Sequence, residues 1–486
     1  MTESFLELST DEKRHAAAKF LLHRTVPATG LHPVSYGQET LWALSRASPE
    51  SGIYNMSFSG QILAALDAGA IKTAFRRVLE RRSVLRSSFG HHLGWVVRRE
   101  LEDFDLPLAE RDLDGSDDAT VQELIGKEAS RPFDLERGLP LRALLIKKGP
   151  KDYRLLVSAH QIILDFWSLS ILIQDLRQAY RSLMLGSAAE TAADQPGFDR
   201  FVLWQVERVV STPGRRALEF WGQQLGGALE PTRLPADHPW PAKRGFRESE
   251  HRFEIGGADA RKLQARAALH GSTLFTLLLA AYNVLLYSYS GQTEITVVSP
   301  TAGRSSAEFE RMVGYCVNHV ILRSHLDAGE TFETLLGRVR ETVMGAMTHR
   351  EFPFPLIAKR TRVGPLPEGA VPFPVKFNMP KAYMLGRQGV AELGRGEAGL
   401  LVPMQGFNFD LDYVDQRVVA TCDLHLTLME TRNGLWASLQ YNSEIFEVTT
   451  IRNLAARFLC LVQAIAQGRN DPLRELAAAA RAGAGD

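Results

Sequence analysis

Cysteine is scarce. The chain has 486 residues and three cysteines, Cys316, Cys422 and Cys460, too few and too widely spaced for a disulfide framework or a metal-ligand cluster. They read as buried thiols of a reducing compartment. Net charge is also missing, since 56 Lys and Arg balance 56 Asp and Glu. No overall field therefore draws the chain to nucleic acid or to an anionic membrane, and neither is expected as a partner. No apolar run is long: Leu274–Tyr287 covers 14 residues and is interrupted by Thr276 and Asn283. That is too short to cross a bilayer and suits a buried helix. The opening MTESFLELSTDEKRHAAAKFLLHR is charged and lacks the apolar core of a signal peptide, so a cytoplasmic protein is expected. With no phosphate-cradling glycine loop and no ligand cluster, no metal, nucleotide or cofactor of the chain's own is expected.

What is present is ordinary globular composition, 45% apolar and 23% charged, on a chain too long for one compact core. Residues 1–32 read as a linker or docking helix: Ser9-Thr10-Asp11-Glu12 offers caps, Ala16, Phe20 and Leu21 an apolar face, and TVPATGLHP a break. Helical and strand patterns then alternate through 33–195. Helical spacing covers Leu66–Arg81 and Trp167–Leu183, and short β-type runs cover Leu141–Lys147 and Tyr153–Ala159. The small, polar GSAAETAADQP at 186–196 reads as a crossover. Residues 196–486 repeat the grammar, with helices near Asp259–Leu269, Thr273–Tyr287, Phe332–Met347 and Thr450–Gln467. Strands are expected at HRFEI, Glu294–Val298, Val375–Asn378 and His425–Glu430. Two α+β lobes are the natural architecture.

The landmark is VSAHQIILDFWS, Val157–Ser168, where a β-run hands over to a helix. It resembles the signature of nonribosomal peptide synthetase condensation domains, His-His-x-x-x-Asp-Gly followed by Ser, with His160, Gln161, Asp165, Phe166 and Ser168 at the matching positions. Other segments resemble further motifs of that family in the same order. They are SYGQETLW (Ser35–Trp42), ERRSVLRSSF (Glu80–Phe89), VVSPTAGRSSAEFERMVGYCVNHVILR (Val297–Arg323), HREFPFPLI (His349–Ile357) and the closing LQYNSEIFEVTTIRNLAARFLCLVQAI. The resemblance spans about residues 33–480.

It implies two chloramphenicol-acetyltransferase-like lobes arranged as a V-shaped pseudo-dimer, with the signature midway along a tunnel between them. The phosphopantetheine arms of peptidyl or acyl carrier proteins would enter its two mouths. Segments of the second lobe would cross to close it, here around Ala302–Arg311 and Lys381–Phe407. The resemblance further makes Asp165 a structural acid, with Arg86 and Arg304 as its candidate partners, and places Asn318 near the tunnel.

Two departures bear on chemistry. In the family the second histidine of the signature is the usual candidate base, and Gln161 stands there. A carboxamide donates and accepts hydrogen bonds but takes no proton near pH 7, and losing a positioned base costs about 10²–10⁴ in rate. His160 is one residue away, and in an extended strand neighbouring side chains face opposite ways. A structural histidine is the preferred reading for it. Phe166 stands at the family's glycine, where it narrows the tunnel or turns into the core. Ser168 reads as a helix-start hydrogen bonder rather than a nucleophile, and His319 and His349 as lone surface or loop histidines. Two functions stay open. One is a recruitment or binding platform with impaired amide-bond catalysis, resembling the domains that recruit tailoring oxygenases. The other is a divergent acyltransferase joining carrier-bound donor and acceptor. The first is preferred.

Overall fold

The computed structural model describes residues 8–187, 197–242, 247–366, 368–380, 400–404, 407–414, 422–431 and 433–483. Of the expected crossover at 186–196, residues 188–196 lie outside these, as do 381–399 and 405–406 of the expected tunnel-closing stretch at 381–407.

Among the described residues, two mixed six-stranded sheets organise the fold. The first contains β2 (Asn55–Ile62), β5 (Leu108–Asp112), β6 (Leu141–Gly149), β7 (Asp152–His160), β12 (Leu400–Met404) and β13 (Phe407–Val414), in the order β12-β13-β2-β7-β6-β5. The second contains β8 (Glu248–Gly256), β9 (Glu294–Thr301), β10 (Asn318–His325), β11 (Val375–Asn378), β14 (Leu424–Thr431) and β15 (Gly434–Asn442), in the order β10-β9-β11-β14-β15-β8. Short strands β1 (Leu31–Pro33), β3 (Ser87–His92) and β4 (Trp95–Glu100) make a third sheet, β1-β4-β3.

The helices among the described residues are α1 (Thr10–Thr29), α2 (Tyr36–Ala47), α3 (Ala68–Arg81), α4 (Asp118–Ser130), α5 (Phe166–Met184), α6 (Phe198–Val210) and α7 (Thr212–Gln224). Then come α8 (Gly257–Leu269), α9 (Leu274–Ser290), α10 (Phe332–Thr348), α11 (Phe354–Arg360), α12 (Val448–Ala466) and α13 (Leu473–Gly483). Helix α9 is apolar on all sides and is the heart of the second core, as its composition predicts. Thr273 caps its start and Gly291, at φ 70°, its end. Helix α12 is long and apolar enough to cross a membrane by length and composition, but Ile451, Leu454, Phe458, Leu461, Val462 and Ile465 are buried in that same core.

The two cores do not divide the chain at one point. Strands β12 and β13 come from beyond residue 196 yet complete the first sheet, with Phe409 opposite Ile62 and Val414 opposite Ser57. Phe309, Met312, Val313, Tyr315 and Cys316 also pack into the first core. Helix α6 serves both, Phe198 and Phe201 facing the first core and Val206 and Val209 the second.

Nor is the N-terminal segment a free linker. Helix α1 carries a Ser9–Glu12 capping box, and the same Glu12 pairs with Arg360 of α11, both side chains being buried. Ala16 enters the second core, Phe20 packs against it and Leu21 is exposed. Buried Lys19 reaches the Val34 carbonyl and Glu39. The expected break at TVPATGLHP is displaced: the helix runs through Pro27 to Thr29 and stops at Gly30, at φ 63°. Near a helix end a proline forfeits little, and the positive φ at the stop favours glycine.

Candidate functional site

The junction after β7 is built by its backbone. His160 N–H donates to the Pro140 carbonyl and Gln161 N–H to the Tyr54 carbonyl, both at 2.8 Å, and a tight turn leads to Asp165. Asp165 caps α5, accepting from Ser168 N–H at 2.7 Å. The turn separates the two residues that open the signature. His160 is buried beside Tyr54 and Phe133, and its Nδ1 accepts from Ile162 N–H at 3.1 Å. Burial lowers its pKa to about 3. Gln161 lines a cavity of about 750 Å³ between the lobes, with Asp165, Phe166, Tyr54, Tyr315 and Asn318 also on its wall.

Asp165 and Arg304 form a bidentate pair, Nη1 to Oδ2 at 2.8 Å and Nη2 to Oδ1 at 2.9 Å. Each side chain is 1% exposed. Cys316 N–H donates to the same carboxylate at 3.0 Å. Arg304 also donates to Ser168 Oγ at 2.7 Å, and that hydroxyl accepts from Gly314 N–H at 3.0 Å. Burial alone would lower the guanidinium pKa, but Asp165 outweighs it and holds the pKa above its ordinary value. The loop at 302–316 is thus fastened to the start of α5. Close approach demands glycine at 303: its φ is 68°, and a Cβ there would lie 1.7 Å from the Cys316 carbonyl oxygen. Burial raises the Cys316 thiol to about 12, which leaves it inert.

Arg86, the other arginine proposed for Asp165, is elsewhere. It pairs with Glu100 and donates to the Leu101 carbonyl at 3.0 Å, because its 3₁₀ turn faces β4 rather than α5. Phe166 does two things at once, lining the cavity and packing against the first core. Asn318 is on the cavity wall too, but its Nδ2 donates to the Arg350 and Phe352 carbonyls at 2.8 Å each, and its Oδ1 accepts from Phe354 N–H at 2.9 Å. Those bonds tie β10 to the entry of α11 and leave no free N–H for a ligand. His349 stacks on Phe220 at 4.4 Å.

The expectation for His319 is overturned. It lines the cavity beside Phe354, and burial together with the charge of Lys376 and the neighbouring His425 lowers its pKa to about 3. Lys376, His425, Gln440 and Glu250 line the same space and were not singled out from the sequence. A signal existed: in VKFN and LHLT, polar residues alternate with apolar ones, so one face of each strand is polar.

The buried histidines have a consequence for stability. Burial lowers the pKa values of His160 and His425 to about 3, and His319 behaves alike, against an unfolded value near 6.5. Between pH 6.5 and 3 the unfolded chain binds more protons, so stability falls as pH falls. Each site contributes a slope of up to about 1.4 kcal/mol per pH unit. We expect the denaturation midpoint to drop steadily from pH 6.5 to 5 and His160→Gln to flatten that slope. An unchanged slope would mean that His160 titrates normally in the folded state.

With this geometry in place, comparison with known proteins is direct. The condensation-domain family model matches residues 29–483, and the chain belongs to that family. A linear gramicidin synthase of Brevibacillus parabrevis is 33% identical over 444 residues, which is 90% of this chain and 6% of that protein. Chondramide synthase cmdD of Chondromyces crocatus is 31% identical over 91% of this chain and 11% of its own length. The chain therefore spans only a small part of the curated relatives it matches. Among solved structures, the complex of the X-domain and OxyB from teicoplanin biosynthesis has a TM-score of 0.79 at 22% identity, covering 91% of this chain and 95% of that one. A four-domain nonribosomal peptide synthetase, AB3403, reaches 0.82 at 20% identity, covering 92% of this chain and 34% of that one. The lobes have the chloramphenicol-acetyltransferase-like fold of such condensation domains.

Proposed function

We propose that the cavity between the lobes receives substrates tethered to the phosphopantetheine arms of peptidyl or acyl carrier proteins. Ordinary amide-bond catalysis is impaired, and the chain serves as a binding or recruitment platform in nonribosomal peptide, or hybrid polyketide, assembly. The observation that carries this reading is the exchange of roles at the signature. Gln161, on the cavity wall, cannot take the proton that an attacking amine must lose. The neighbouring imidazole is buried, and its Nδ1 lone pair is occupied by Ile162 N–H. With a pKa near 3 it is too weak a base for the task. The likeness to a domain solved in complex with OxyB supports a tailoring oxygenase as the recruited partner.

The second reading, a divergent acyltransferase, is favoured by the cavity itself. Phe166 does not fill it, and about 750 Å³ remains, so positioning of the reactants could still drive turnover with an amine that enters unprotonated. The two readings separate in one assay. Donor and acceptor carrier proteins are loaded, mixed with the chain and followed by intact mass. We expect product at about 10²–10⁴ below the rate of a family enzyme carrying histidine at this position, with carrier binding retained. Product at an equal rate would overturn the platform reading. Retention of an oxygenase, lost on changes to an outer face but kept in Gln161→Ala, supports it.

A further inference from the structure

Tyr315 is held beside the signature turn from two sides. Its chain neighbours tie it there, Gly314 N–H donating to Ser168 Oγ and Cys316 N–H to the Asp165 carboxylate, each at 3.0 Å. On the other side, helix α2 is fastened to the same turn, Gln38 Nε2 donating to the Ile162 carbonyl at 2.8 Å. The tyrosine ring abuts that helix at Gly37, where a Cβ would lie 2.8 Å from Tyr315 Cε1. Only glycine lets the ring approach the helix backbone so closely.

The ring is fixed, but its hydroxyl is unused. Tyr315 is 7% exposed and lines the cavity. Among the described residues the hydroxyl has no hydrogen-bond partner, and it is not one of their sealed-off polar atoms either. An opening therefore reaches it, and the cavity is the opening that this residue borders. The Gln161 carboxamide, half-buried on the same cavity wall, is likewise without a partner among the described residues. Asp165, the acid at this turn, is already taken: Arg304 and the Ser168 and Cys316 N–H groups fill both of its oxygens. Burial, helped by the charge of Asp165, raises the pKa of the phenol, so the O–H keeps its proton at neutral pH. A phenol withdrawn from bulk water without an acceptor is costly, which points to an acceptor brought by the ligand.

We propose that Tyr315 Oη–H and the Gln161 carboxamide N–H together bind the carbonyl oxygen of the tethered acyl group, where that group joins the pantetheine arm. The inference rests on the tethered-substrate reading above and adds the atom that is held and the residues that hold it. A neutral carbonyl fits this turn better than an anion, because Asp165 and Arg304 cancel each other's charge. Both side chains donate and neither takes a proton, so the contact positions a substrate without supplying a base.

Calorimetry on the intact chain tests the contact with two hydrolysis-stable pantetheine derivatives. One is the hexanoyl amide, which carries the carbonyl, and the other is the S-hexyl thioether, which lacks it. Tyr315→Phe keeps the ring against Gly37 and removes the donor. It is expected to weaken the amide about three- to tenfold and to leave the thioether within about twofold. The retained thioether affinity also shows that the variant is folded. Gln161→Leu should act in the same direction and on the same derivative. An effect missing from either variant, or spread equally over both derivatives, overturns the donor pair but leaves the tethered-substrate reading standing. If neither derivative binds, free or loaded on a carrier protein, that reading falls and the donor pair with it.

Discussion

Gln161→His is expected to raise the rate of amide formation between loaded carrier proteins by about 10²–10⁴. The substitution changes one group at the cavity wall from a carboxamide to an imidazole of ordinary basicity near neutral pH. Its backbone is fixed independently, by Gln161 N–H on the Tyr54 carbonyl at 2.8 Å, so the new ring should project from the same place. If Phe166 narrows the approach to the reacting centre, the gain appears in full only in the Gln161→His, Phe166→Gly pair, and the two changes are more than additive. Single-turnover mass measurements on the parent and the three variants separate these effects. A flat response across all of them would show that the missing base is not what limits this chain.

Arg304→Ala should lower the unfolding free energy by about 3–5 kcal/mol, because it strands the Asp165 carboxylate in the interior. That carboxylate is 1% exposed, and the Ser168 and Cys316 N–H groups alone would remain to satisfy it. The loop at 302–316 would lose the Arg304 bonds to Asp165 and Ser168, keeping those of Gly314 and Cys316, and become more open to proteolysis. Adding Asp165→Asn should recover part of the loss, since the buried charge is then gone. Denaturant midpoints for the two single variants and the double variant complete the cycle. A loss below about 1 kcal/mol for Arg304→Ala would place this pair with weak surface bridges. Arg86→Ala is the contrast, since its pair with Glu100 does not touch α5.

Much of the fold was legible because the elements announce themselves. The apolar stretch predicted over Thr273–Tyr287 is α9, Leu274–Ser290, and the strands expected at Tyr153–Ala159 and Val375–Asn378 are β7 and β11. The signature places Gln161, Asp165 and Phe166 on one cavity because they share one strand-to-helix turn. Local spacing is enough to bring such neighbours together.

Other features depend on partners far away along the chain. Nothing in residues 400–414 shows that they would pair with Asn55–Ile62, about 350 positions earlier. Two arginines were equally available to Asp165, and the crossing loop brought only Arg304. His319 reads as a lone histidine until β10 is laid beside β9, and β9 beside β11. The same holds for Lys376 and His425, whose shared face is set by register.

By itself, then, the order of residues determined the family, the run of helices and strands, and the incapacity of a carboxamide to act as a base. The last follows from side-chain chemistry, which no fold can alter. Tertiary structure alone decided which arginine met the buried acid, which strands completed the first sheet, and which basic groups came to line the same cavity as Gln161. Those outcomes are set by strand register and chain crossing, and a shift of one residue would turn the Lys376–His425 row into the core.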